Sequence, residues 1–210
     1  MNILRNKNLR IVKRPAANIL GCGLRCVDDD DIGNGWFYKL THRVQKDRSA
    51  TIRTMKRGDV RPVQDVARRT WSDTYKGSIP NEVQDKFLER AYSKTSLERR
   101  MTSDVFLVAV LDREIVGFAD FQPVSKGGAY LGALYVLPDH QDRGIGRLLL
   151  QRGIAAFPPG TEFTLRVENN NERARAFYER YGFEFAGEIV EDLFGFESRE
   201  IEMTYKEKDE

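Results

Sequence analysis

Long apolar runs are missing from this chain, and no stretch approaches the ~18 residues that a membrane-spanning helix requires. Cysteine is nearly absent too. Cys22 and Cys26 are too few for a disulfide framework in 210 residues, and they lack the further ligands of a closed zinc site. A reduced, cytoplasmic setting with no metal is therefore expected. Nor is there a dominant sign of charge, since the formal net charge is only +2. That balance hides an asymmetry: residues 1–50 carry 10 Lys and Arg against 5 Asp, and residues 51–210 carry 24 against 27 acids, so the first segment is +5 and the rest −3. What remains, 40% hydrophobic and 31% charged, is a globular composition long enough for one domain and an appendage.

Residues 1–50 show no sustained helical or alternating pattern and are expected to form an N-terminal extension of low order. Acids are absent before Asp28, which would suit a targeting peptide or a nucleic-acid-binding arm. Yet no secretory apolar core is present, aromatics are absent from the first 27 residues, and Asp28 to Asp31 follow directly, so nucleic acid ranks low as a partner. His42 is read as solvated.

The ordered domain is expected over 51–210. Thr51 to Met55 reads as a strand, Asp59 as a helix cap, and Val63, Val66, Ala67 and Trp71 as the buried face of a first helix. Gly77 to Pro80 breaks the chain before a second helix marked by Val83, Phe87, Leu88 and Ala91. Thr95, Ser96 and Glu98 suggest a capping box for a short third one. Val105 to Leu111 and Ile115 to Val124 are strands joined by a hairpin at Asp112-Arg113-Glu114. Phe163 to Val167 is a further strand, and Glu172 to Tyr181 a helix stopped by Gly182. At the end, Ile201, Met203 and Tyr205 alternate with polar neighbours as a half-buried final strand, whose exposed edge could support a homodimer.

Between these elements lies Gln141-Asp142-Arg143-Gly144-Ile145-Gly146-Arg147. It joins an apolar strand (Tyr130, Leu131, Leu134, Tyr135, Val136), ended by Pro138 and Asp139, to a helix with Ile145, Leu148, Leu149 and Ile154 at helical spacing. A helix N-terminus carries unpaired N–H groups and about half a positive charge, so it can seat a pyrophosphate where no side chain blocks the approach. Gly144 and Gly146 leave that space, and Arg143 and Arg147 add charge. Two other phosphate loops are excluded by what is missing. A dinucleotide fingerprint needs a third glycine where Leu149 stands, and a triphosphate loop needs Gly-Lys-Ser/Thr where the chain has Gly146-Arg147-Leu148. Alone, the string also reads as a glycine hinge with two solvated arginines. A second string, Asn171 to Phe183, places Ala174, Phe177, Tyr178 and Tyr181 on one helical face, which by itself is a core stripe.

Taken together, the order strand, Q-x-x-G-x-G, helix, strand, N-x-x-A-x-x-F-Y-x-x-x-G-F resembles the GNAT superfamily of N-acetyltransferases. The match runs over residues 51–206 in element order and is tight over 130–185; Trp71 to Pro80 is similar to the first-helix region of bacterial members acting on small amines. The resemblance implies a mixed α/β fold whose twisted mixed sheet, flanked by helices, splays open between the strands ending at Val136 and Val167. It also implies acetyl-coenzyme A in the gap. Backbone groups of Leu134, Tyr135 and Val136 would pair with the pantetheine arm, and backbone N–H groups of Asp142, Arg143, Gly144, Ile145, Gly146 and Arg147 would hold the pyrophosphate. Asn171 would contact the cofactor arm, and Tyr178 would protonate the departing sulfur.

An alkylamine of pKa ~10.4 leaves about one molecule in 2,500 as the neutral nucleophile at pH 7, so deprotonation is the main demand on such a site. Here the chain departs from the family. Gly132 and Arg166 stand where members carry a catalytic carboxylate, leaving Asp120, Glu168, the Tyr130 phenol or a water chain as candidates. His140 is read as an exposed loop residue. Trp71, Tyr75 and Phe87 could line an acceptor pocket or be packing, and a small primary amine or a protein N-terminus is the expected acceptor, with a cation favoured by the acidic balance. The second reading is a sensor that binds acetyl-coenzyme A and transfers nothing.

Overall fold

The computed structural model describes residues 50–206. The extension expected over 1–50, with Cys22, Cys26 and His42, lies outside the described residues apart from Ala50. In chain order the elements are β1 (Thr51–Thr54), α1 (Val60–Thr74), α2 (Asn81–Ala91), α3 (Lys94–Ser103), β2 (Val105–Leu111), β3 (Glu114–Pro123), β4 (Ala129–Val136), α4 (Ile145–Ile154), β5 (Glu162–Glu168), α5 (Glu172–Arg180), β6 (Glu184–Leu193) and β7 (Phe196–Lys206).

The strands form one mixed sheet in the order β1-β2-β3-β4-β5-β7-β6. Every neighbouring pair is antiparallel except β4 and β5, whose short parallel ladder joins Ala129 to Phe163, Tyr130 to Thr164 and Leu131 to Leu165. Beyond Leu131 the two strands no longer pair with each other, though β4 runs on to Val136 and β5 to Glu168, and the sheet opens. A bulge starts the divergence. Phe121 on β3 faces Leu131 while Asp120 faces Ala133, so Gly132 is an extra residue that bends β4 away.

Alternation along β3 sends Phe118 and Phe121 to opposite faces. The Phe118 ring meets Tyr92 and Tyr135 beneath the α1–α3 layer. On the other face Phe121, fully buried, lies against α4, where a side-chain carbon on Gly153 would fall 1.9 Å from its ring. α5 joins the same layer through Tyr178, Phe183 and Tyr205, whose rings pack in series.

Three expectations are corrected. Asp59 stands at the N-cap position of α1, but its side chain does not bond the helix; its carboxylate accepts from the Lys56 N–H (2.7 Å) and pairs with Arg53 (2.6 Å), fixing the turn before the helix. The third helix starts earlier than the Thr95 signal, because Ser93 Oγ accepts from the Ser96 N–H at 3.1 Å. The final strand is not an edge: β7 lies between β5 and β6, and β6, unrecognised in the sequence, closes the sheet. Its alternation is broken at Ala186, where the register shifts between Phe185 and Gly187, and most of its residues are exposed. Glu184, Glu188, Glu191 and Asp192 along this edge oppose pairing with a like strand.

Candidate active site in the splay of the sheet

The opening between β4 and β5 is a cleft of about 690 Å³, walled by β4 from Leu131 to Val136, the turn into α4, Arg166 and Val167 of β5, and one face of α5. The end of α1, with Trp71 and Tyr75, closes one side.

At the α4 end, Gln141 Nε2 donates to the Val136 carbonyl (2.9 Å), tying the turn to the last residue of β4. Gly144 then adopts φ +78°, a left-handed conformation natural to glycine. The Leu148 N–H reaches the Gly144 carbonyl at 3.1 Å, so the amides just before it stand at the open end of the helix. Nothing but the Arg147 side chain lies within 4 Å of a carbon placed on Gly144, and one on Gly146 would touch Leu134 and Phe177 at 3.5 Å. Arg147, Arg173 and Arg180 line the same cleft, and Arg173 bridges the turn by pairing with Asp142 at 2.8 Å. Free amide donors, open glycines and guanidinium groups in one place fit a pyrophosphate. The arginine contribution of α5 was not legible in the sequence.

Of the residues expected at the site, the cleft brings together Leu134, Tyr135, Val136, Asp142, Gly144, Gly146, Arg147, Asn171 and Tyr178. Arg143 is exposed and does not line it, and Ile145 buries its side chain in the core, so only its backbone could serve. Asn171 caps α5, its Oδ1 accepting from the Ala174 N–H at 3.1 Å. Tyr178 is buried between the Phe177 and Phe183 rings, and burial holds its phenol well above the usual range, with Tyr135 and Tyr130 adding to the shift. It is a protonated phenol at neutral pH.

On the α1 side, Trp71 Nε1–H donates to the Tyr135 hydroxyl (3.0 Å) while its ring stacks on Phe87 at 4.2 Å. Trp71 and Tyr75 therefore line the cleft, and Phe87 packs behind them. His140 is half-buried in a short helical turn, and not exposed; its Nδ1 has no hydrogen-bond partner among the described residues.

The candidate bases are engaged elsewhere. Asp120 is fully buried and bonded to Arg100 (2.8 Å), which lies over the rings of Tyr92 and Phe106, and to Gln122 Nε2 at 3.1 Å. Burial pushes its carboxyl up to about 6 against the pull of Arg100. Glu168 accepts from the Asn170 N–H (2.9 Å) and side-chain amide (3.2 Å), shaping the turn into α5. The Tyr130 phenol is pushed up to about 12 by burial. Gly132 leaves room for Gln122, whose Nε2 would lie 2.7 Å from any side-chain carbon at that position. Arg166 is held by Glu191 (3.1 Å) and Glu202 (3.5 Å).

Residues 64–183 match the acetyltransferase (GNAT) family. The chain belongs to that family. This GNAT chain is 27% identical over 161 residues to a spermidine N(1)-acetyltransferase of Thermoplasma acidophilum, a match covering 70% of this chain and 92% of that protein. It is 35% identical over 115 residues to the peptidyl-lysine N-acetyltransferase YjaB of Salmonella typhimurium, covering 51% and 72%. Among solved structures it resembles the PaiA N-acetyltransferase of T. acidophilum in complex with coenzyme A, at TM-score 0.61 and 27% identity over 75% of this chain and 99% of that one. The splayed sheet expected from the glycine turn and the α5 string is thus the fold of the family.

Proposed function

We infer that the protein is an N-acetyltransferase that moves the acetyl group of acetyl-coenzyme A to an amine. The observation that carries this reading is the alignment of three features along one cleft: the end of β4 that has parted from β5, the open glycine turn and the buried phenol of Tyr178. In this reading the backbone of Leu134 to Val136 guides the pantetheine arm and the amides from Asp142 to Arg147 take the pyrophosphate. Asn171, while capping α5, borders the arm, and Tyr178 gives a proton to the leaving sulfur. The acceptor is a small amine or a protein amine reached from the α1 side; relatives named for spermidine and for peptidyl-lysine support both. The reaction belongs to a reduced, cytoplasmic setting, as the two cysteines suggest.

Gly146→Asp tests the cofactor site. Gly144 is the poorer probe, because φ +78° strains any other residue there, whereas a side chain at Gly146 meets only ordinary contacts. Calorimetric titration of acetyl-coenzyme A is expected to show micromolar binding to the wild type and at least tenfold weaker binding to the variant. Equal binding would leave the turn a mere hinge and remove the basis of this reading. Binding without turnover on any amine would favour the sensor instead.

A further inference from the structure

We propose that Glu200 of β7 takes the proton from the acceptor ammonium. This inference rests on the N-acetyltransferase reading and adds a residue that neither glycine turn nor α5 string contains. It follows from register. Glu200 lies opposite Glu168, and Glu202 opposite Arg166, so the four share the face of β5 and β7 that continues from Tyr130 and Thr164 at the last β4–β5 pairs. This is the face on which α1 ends, and the charge of Glu200 is felt by the phenols of Tyr75, Tyr130 and Tyr135. Tyr75 and Tyr135 line the cleft.

The other carboxylates on this face of the sheet at this end are bonded: Asp120 to Arg100, Glu168 to Asn170, and Glu191 and Glu202 to Arg166. Glu200 is half-buried, and its carboxylate has no hydrogen-bond or ion-pair partner among the described residues. Around it stand Glu191 from β6, Arg166 and Glu168 from β5, Glu202 on its own strand, and the three phenols. Burial, then Glu191 and Glu168, raise its carboxyl above the ordinary range, and Arg166 opposes them. A carboxylate raised toward neutrality while still ionised is a stronger proton acceptor than an ordinary one.

The ammonium gives one proton to Glu200, and the freed nitrogen lone pair forms the N–C bond to the thioester carbonyl. The C–S bond breaks, sulfur takes the Tyr178 proton, and the second proton leaving nitrogen restores the phenol; Glu200 releases its proton to solvent.

The test is Glu200→Gln, with Glu200→Asp as a variant that keeps the carboxylate. The probes are spermidine, a lysine peptide with a blocked N-terminus, and an unblocked peptide. With whichever the wild type acetylates fastest, kcat/KM of Glu200→Gln at pH 7 is expected to fall about 100-fold. The deficit should shrink toward unity as pH approaches ~10, where the amine loses its proton unaided. Glu200→Asp should recover part of the rate, and the Kd for acetyl-coenzyme A should stay within about twofold. A deficit below about threefold, one that is constant with pH, or one matched by lost acetyl-coenzyme A affinity would overturn the assignment while leaving the enzyme reading intact. A wild type that binds acetyl-coenzyme A but acetylates none of the probes would remove the enzyme reading, and this proposal with it.

Discussion

Tyr178 concentrates the residue-scale chemistry, because one side chain belongs both to the core stripe of α5 and to the cleft. Its ring is held by Phe177 and Phe183, and its phenol is kept protonated by burial. A coenzyme thiol with pKa near ~8.5 leaves without much help, so general acid assistance should fall short of the ~10²–10⁴ typical of such groups. Tyr178→Phe keeps the ring packing and removes only the hydroxyl. Its kcat is expected to drop about tenfold, with the Kd for acetyl-coenzyme A within about twofold of wild type, checked by steady-state kinetics and calorimetry on the same preparation. Loss of affinity equal to the loss of rate would return Tyr178 to a packing role.

The helix α4 shows how an element is shaped by what it lies against. By propensity alone Gly153→Ala should stabilise a helix by ~1 kcal/mol. Here the added carbon would overlap the Phe121 ring, which is fully buried and backed by Phe157 and Phe163. Overpacking of this kind costs ~1–3 kcal/mol or more, so a net destabilisation of about 1–2 kcal/mol is expected in urea unfolding. An unchanged or raised midpoint would mean that the ring moves aside. Legibility in the sequence followed the same divide. Elements whose signal is local could be read: β4 and α4 from apolar spacing around the glycine turn, α5 from its stripe and the Asn171 cap. What depends on distant partners could not. β6 lost its alternation to a register shift and an exposed face, the start of α3 was decided by Ser93, and the Gly132 bulge makes sense only with Gln122 beside it. At the site, Asp120 and Glu168 looked available as bases until Arg100 and Asn170 were placed against them, and Glu200 was hidden because its setting is created by β5 and β6.

For the molecule as a whole, the consequence of the splay is mechanical. The β1–β4 and β5–β7 portions of the sheet are joined by one short ladder, from Ala129 to Leu131 and from Phe163 to Leu165. A ligand lying in the cleft would touch β4, the α4 turn and α5 together, and so couple the two portions. Binding to the folded chain alone stabilises it by ~2.7 kcal/mol at a hundredfold excess over Kd. For a domain of this size that is a rise in Tm of about 5–10 °C. Because the gain comes from bridging, hydrogen exchange should slow in β5 and α5 as well as in the glycine turn, and by more than in β1 and β2, which already lie away from the opening. Thermal unfolding and exchange with and without acetyl-coenzyme A are expected to show both effects in the wild type and both clearly reduced in Gly146→Asp. Protection confined to the glycine turn, with no change in β5, would mean that the ligand rests on one half of the sheet and does not bridge the splay.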